Sequence, residues 1–170
     1  MPSQSPERPT IRPAAPADAP GIAVIYNHFV AHTVVTFEEE PVSPDEIARR
    51  IEDVRSASLP WIVAEQSGRI AGYAYATKWR ERSAYRFSSE VTVYLGPEDG
   101  GRGVGSMLYT ELFQRLRARG IHVVIGGIAL PNDASVKLHE KFGMKKVAHF
   151  AEVGFKFGTW VDVGFWGRTL

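Results

Sequence analysis

The 170-residue sequence predicts an α/β (α+β) fold: one mixed, mostly antiparallel central sheet with helices on both faces. Three observations carry the prediction. Strand-like runs follow one another from Trp61 to Leu95 with turn signals between them, as in antiparallel hairpins. Beyond Leu95, segments of helix period and strand period alternate. From Glu90 to Tyr109 an apolar strand passes through a glycine cluster straight into an amphipathic helix.

Taken in order, residues 1–9 form a disordered tail and residues 10–170 a single domain. Thr10 to Arg12 is a short strand. Asp18 is the expected N-cap of a helix whose Ile22, Ile25, Tyr26 and Phe29 recur at helical spacing. Ser43 and Glu46 make a capping box with Pro44 at the first helical position, and Ile47, Ile51 and Val54 give that helix one apolar face. Its charges read as a solvated face. WIVAEQ and IAGYAYATKW are paired strands around the turn SGR, and a third strand covers Tyr85 to Leu95. Leu108, Leu112 and Leu116 mark a helix ending at Gly120. HVVIGGIA is a buried strand, LPND a turn, and Ala134 to Phe142 a short helix closed by Gly143. Val147–Val153 and Asp162–Arg168 are final strands, with GFKFGTW as a loop between them.

Composition removes several function classes. Net charge is 20 − 19 = +1, so no strong field favours nucleic acid or an anionic membrane. The absence of cysteine excludes disulfides, thiolate zinc sites and acyl-cysteine intermediates. No metal is called for. No apolar run reaches the length of a membrane span, and PSQSPERP has no apolar core for a signal peptide.

The glycine cluster is the main chemical signal. Gly100, Gly101, Gly103 and Gly105 remove Cβ atoms where the chain turns, so backbone N–H groups can converge on a close ligand. The helix that follows directs its positive end to the same place. This is an anion site, most simply for phosphate or pyrophosphate. No Lys followed by Ser or Thr closes the loop, which excludes the nucleoside-triphosphate loop. The third glycine of a dinucleotide fingerprint would fall on Ser106.

The window Gly100-Gly101-Arg102-Gly103-Val104-Gly105 resembles the pyrophosphate loop of the GNAT acetyltransferases, Gln/Arg-x-x-Gly-x-Gly/Ala, with Gly100 where Gln or Arg is usual. PWIVAE, AGYAYA, WRERSAY, EVTVY, GSMLYT, LPNDASVKLHE and GTWVDVGFW extend the resemblance to the phosphinothricin N-acetyltransferase branch, from about Ile11 to Trp166. Val161 stands where close relatives carry His.

The resemblance implies a GNAT fold with splayed central strands, acetyl-CoA as cosubstrate, and acetyl transfer to the α-amine of phosphinothricin, methionine sulfoximine or a methionine sulfone-type amine. It implies a homodimer in the cytoplasm, with a small-molecule amine as substrate. Glu90 takes the place of the catalytic Glu, a general base acting directly or through water. His139 is two turns from Asn132, roughly 10 Å along a helix. It stands at the position of a proton-donating Tyr, to assist the leaving thiolate or share proton transfer with Glu90. Val93, Tyr94, Leu95, the loop residues Gly100 to Gly105, Ser106, Asn132 and Ser135 face the cofactor, with a bulge near Val93 to Leu95 directing an N–H at the thioester. Phe37, Tyr75, Tyr85 and Thr92 line the amine site. Arg80 and Arg82 match Trp-Lys/Arg-x-Arg-x-Ala-Tyr and read the acidic groups of the substrate. A protein N-acetyltransferase and a non-catalytic CoA-binding module remain as alternatives.

Overall fold

Seven strands form one sheet in the order β1-β2-β3-β4-β5-β7-β6. The structure, a computed structural model, describes residues 7–170, and residues 1–6 of the expected tail lie outside it. The strands are β1 (Thr10–Pro13), β2 (Trp61–Gln66), β3 (Arg69–Lys78), β4 (Ser88–Leu95), β5 (Val123–Leu130), β6 (Lys145–Lys156) and β7 (Thr159–Thr169). The helices are α1 (Ala19–His32), α2 (Pro44–Ser56), α3 (Val104–Ala118) and α4 (Asp133–Lys141). Every pair in the sheet is antiparallel except β4 with β5. The expected mixed sheet is therefore present, with helices on both faces.

The sheet separates two cores. On one face, Ile62, Ala74 and Val91 pack against Leu108, Tyr109, Leu112 and Leu116 of α3. On the other, Val63 and Tyr73 meet Ile22, Ile25 and Tyr26 of α1 and Ile47 and Ile51 of α2. The two-residue period of β4 divides its side chains between them: Val91, Val93 and Leu95 join the first core, and Tyr94 the second.

Several local expectations change. Asp18 occupies the N-cap position without capping α1; its carboxylate is held by Arg12 at 2.8 Å and by the Ala15 amide. Ser43 does cap α2, accepting from the Glu46 amide. The charges of α2 are more than a solvated face, because Arg50 reaches outside its helix to grip both oxygens of Glu38 at 2.9 and 2.7 Å. Ser83–Tyr85 is a turn of 3-10 helix, so β4 begins only at Ser88. GFKFGTW is no loop: β6 and β7 run into it and meet at Phe157 and Gly158, with φ of 52° and 72°. Two consecutive positive φ values make the tight hairpin turn whose twist matches its strands.

Candidate active site

The site begins where β4 and β5 part. Their pairing runs only from Ser88↔Val123 to Glu90↔Ile125, while β5 stays in register with β7 from Val123↔Thr169 to Leu130↔Asp162. Beyond Glu90, β5 follows β7 and leaves β4, opening a wedge. Val93, Tyr94, Ile128, Asn132, Ser135 and His139 are among the residues that line it. The expected bulge is absent: β3 and β4 keep an unbroken register from Lys78↔Ser89 to Gly72↔Leu95. The wedge arises from strand divergence instead.

The glycine loop closes one end of this wedge. A Cβ on Gly100, Gly101 or Gly103 would meet nothing within 4 Å, and Gly101 and Gly103 have φ of 74° and 82°. The backbone is open on that side. Gly103 is the N-cap of α3 and provides no side-chain cap, so the first amides of the helix are free for a ligand. The loop is anchored at its start by Asp99, 1% exposed and gripped by Arg69 at 2.7 and 2.6 Å. That guanidinium holds the Asp99 carboxyl below its usual range against the opposing effect of burial. Gly105 plays another part. It is buried, and a Cβ there would lie 3.2 Å from Leu138, so it brings α3 close to α4. Open backbone, an uncapped helix end and a wedge between strands fit an elongated diphosphate ligand with a thin arm.

Asn132 caps α4 by accepting from the Ser135 amide at 3.1 Å, and among the described residues its side-chain NH2 has no partner at the wedge. His139 is 3% exposed. Its Nδ1 lies 2.7 Å from the Ser135 carbonyl oxygen, which can only accept, so Nδ1 carries the hydrogen. Nε2 then accepts from the Tyr109 hydroxyl at 3.0 Å. Burial pushes the His139 pKa down and that of the fully enclosed Tyr109 up, so both are neutral.

Glu90 is half-buried and, among the described residues, has no hydrogen-bond or ion-pair partner. Burial raises its pKa, and the Arg80 charge opposes that shift. A carboxylate destabilised in this way is a better base near neutrality.

A family model described as an acetyltransferase (GNAT) domain matches residues 11–164. The chain belongs to the GNAT acetyltransferases. It is an acyltransferase, and acetyl-CoA is its cosubstrate. The chain is 42% identical to a phosphinothricin N-acetyltransferase of Streptomyces viridochromogenes over 96% of this chain and 90% of that protein. It is 36% identical to an L-methionine sulfoximine/L-methionine sulfone acetyltransferase of Salmonella typhimurium, over 92% of this chain and 91% of that one. A crystal structure of a phosphinothricin acetyltransferase from Sinorhizobium meliloti in complex with acetyl-CoA superposes with a TM-score of 0.92 at 38% identity, covering 96% and 89% of the two chains.

The positions expected to line the amine site are spread more widely than the sequence suggests. Thr92 and Tyr75 are cross-strand partners beside Glu90 and Thr77. Tyr75 stacks on Trp61 with ring centroids 4.1 Å apart, and this pair walls a cavity of about 230 Å³ with Tyr26, Arg50, Tyr73 and Thr77. Phe37 lies between α1 and α2, its ring seated on Gly154 of β6. Arg80 lies 4.3 Å over the Trp79 ring, and Trp79 meets Phe165 edge-on. Arg82 and Tyr85, with Arg80 at its edge, line a cationic depression that includes Lys78, Arg86, Ser89 and Arg119. Ser89 alternates with Glu90 along β4 and faces the other side of the sheet.

Tyr109 and Arg50 line these cavities and Glu38 holds Arg50, and the sequence singles out none of the three. Tyr109 reads as one more apolar helix position until His139 is found against it. Glu38 sits in an acidic run, and its bonds to Arg50 and Tyr26 cross 12 residues each way.

Proposed function

We propose that this enzyme moves acetyl from acetyl-CoA to the α-amine of a small amino-acid-like substrate of the phosphinothricin, methionine sulfoximine or methionine sulfone type. The observation that supports it most is Glu90: an unpartnered, half-buried carboxylate at the point where the two central strands separate. Acetyl-CoA, when bound, supplies an activated thioester carbonyl. Glu90 takes a proton from the amine, directly or through one water, so that the amine attacks as the free base. The loop amides and the end of α3 hold the diphosphate, which fixes the arm in the wedge. Tyr109 and His139, bonded to each other at its wall, hold the proton that the departing thiolate takes up. Arg80, whose charge acts on Glu90, attracts the acidic groups of the substrate, whereas Arg82 lies on the depression beyond Ser89 and is too far round the sheet to share that role.

The reading includes a homodimer. Phe150, Val153, Phe155, Phe157 and Trp160 of the terminal hairpin are 51–61% exposed, a large apolar surface for a free monomer. A cysteine-free chain drawing on acetyl-CoA suits the cytoplasm.

Free-thiol release with acetyl-CoA and a panel of amines tests the reading. Turnover is expected with phosphinothricin, methionine sulfoximine and methionine sulfone. Turnover confined to peptide amines would replace this reading with a protein N-acetyltransferase. Acetyl-CoA binding without turnover of any amine would replace it with a CoA-binding module.

A further inference from the structure

We propose that the cationic depression at the end of α3 is a second anion site, separate from the wedge, that takes a small multivalent oxyanion, free phosphate or a phosphate monoester. The two-residue period of the strands sets it apart from the amine side. Lys78 and Ser89 are cross-strand partners on β3 and β4, so their side chains share a face, and Ser89 shares that face with Val91 in the core under α3. The next pair, Thr77 and Glu90, points to the other face. The chain leaving α3 adds Arg119 to the wall, and the connection from β3 to β4 adds Arg82 and Arg86. The depression has a volume of about 430 Å³, spacious enough for a phosphate and the group that carries it.

Two independent observations point to a ligand. The first is charge. Glu81 is the only carboxylate residue lining the depression. It reaches Lys78 at 3.4 Å with both side chains exposed, which makes a weak pair. Among the described residues no carboxylate bonds Arg82, Arg86 or Arg119, and Arg86 donates to the Ser83 carbonyl instead. The C-terminal end of α3 accounts for Arg119, since helix C-termini favour cations. It does not account for the other three, which come from β3 and from the connection to β4. The second observation is Ser89. It is 1% exposed, and its Oγ has no hydrogen-bond partner among the described residues. A buried hydroxyl left unpaired is destabilising. An oxyanion accepts from that hydroxyl and from the surrounding guanidinium and ammonium groups together, so one ligand answers both observations.

The test is calorimetric titration of the CoA-saturated full chain with inorganic phosphate, pyrophosphate and glycerol phosphate. CoA fills the glycine loop and the wedge, so anion binding that remains belongs elsewhere. One equivalent should bind with a Kd below about 1 mM, and the tightest probe tells free from esterified phosphate. Lys78→Met and Arg119→Met should each weaken binding about tenfold, the effect of removing one charge-assisted hydrogen bond, and Arg119→Lys should restore most of it. Ser89→Ala should weaken binding at least about threefold while the Tm of the ligand-free chain holds or rises, because the change removes an unpaired hydroxyl and not a bond. Affinity for CoA should stay the same in all four variants. Binding of every probe weaker than about 1 mM overturns the proposal. So does affinity unchanged in both Arg119→Met and Ser89→Ala, and so does a lower ligand-free Tm in Ser89→Ala, which would mean that the hydroxyl is already bonded. Binding of a polyglutamate peptide with none of the phosphate probes would also overturn it, and would assign the surface to an acidic protein segment.

Discussion

Glu90 and His139 stand on opposite faces of the sheet, separated by one step of β5. A Cβ on Gly127 would come within 3.5 Å of Glu90 Oε1, and one on the adjacent Gly126 would come within 2.5 Å of His139 Nε2. Successive strand residues point to opposite faces. Gly126 needs to be glycine because a methyl there would overlap the His139 ring, whereas at Gly127 the tight neighbour is Phe165 at 3.1 Å and Glu90 lies at ordinary contact distance. In the proposed reaction the amine's proton and the thiolate's proton would therefore be handled on different sides of the strands.

Glu90→Gln separates catalysis from stability. Turnover should fall by orders of magnitude while acetyl-CoA still binds. A carboxyl whose folded pKa is raised contributes stability at acid pH, below its unfolded value of about 4.3, and that contribution is lost as pH rises through the folded pKa. Gln mimics the protonated form, so the Tm at pH 7–8 should match or exceed that of the parent. Thermal melts and thiol release measure both; retained turnover would remove Glu90 from the reaction.

Arg80→Met should move the pH profile. The acid limb of kcat/KM reports Glu90 losing its proton, and it should lie above the ordinary carboxylate range. The Arg80 charge pulls that value down, so its removal should shift the limb to still higher pH. Arg82→Ala, on the depression beyond Ser89, should leave both the limb and KM for anionic amino acids nearly in place. An identical shift in both variants would show that the two arginines act only through general charge.

How much of this is legible in the sequence depends on the range of the interaction. WIVAEQ reads as a strand because its apolar run and bounding turn are local, and β2 spans those same six residues. The glycine loop is legible for the same reason. The opposition of Glu90 and His139 is not: it follows from β4 and β5 pairing in parallel over only three positions, a fact of topology. GFKFGTW misleads because glycines and aromatics resemble a loop, whereas a positive φ at Phe157 turns the chain in two residues.

Tyr109→Phe tests the proton path at the wedge. It removes the donor to His139 Nε2 while keeping the ring stacked on Phe113 at 5.1 Å. Folding should be lowered by about 1 kcal/mol, the usual effect of losing one buried hydrogen bond. Turnover should fall more steeply than that, with KM for acetyl-CoA nearly constant. His139→Ala is a poorer probe, since it opens a cavity and strands the Tyr109 hydroxyl, destabilising by about 2 kcal/mol or more. If Tyr109→Phe retains both turnover and the basic limb of the pH profile, the pair serves packing alone.

Trp160→Asp tests the assembly. β6 is an edge strand, and its hairpin with β7 carries Phe155 and Trp160 packed on each other at 4.7 Å yet more than half exposed. Exposed edges bearing large aromatics invite association, and a charge at the centre of such a patch opposes it. The parent should sediment as two chains at micromolar concentration and the variant as one. Because Trp160 is 61% exposed, the monomeric variant should keep its fold by circular dichroism. The same hairpin holds the connection between α1 and α2, through Lys156 Nζ donating to the Thr36 carbonyl at 2.8 Å and Phe37 resting on Gly154. Dissociation should therefore reach the amine side: KM for the amine should rise while affinity for acetyl-CoA holds. A parent that sediments as one chain would refute the dimer outright.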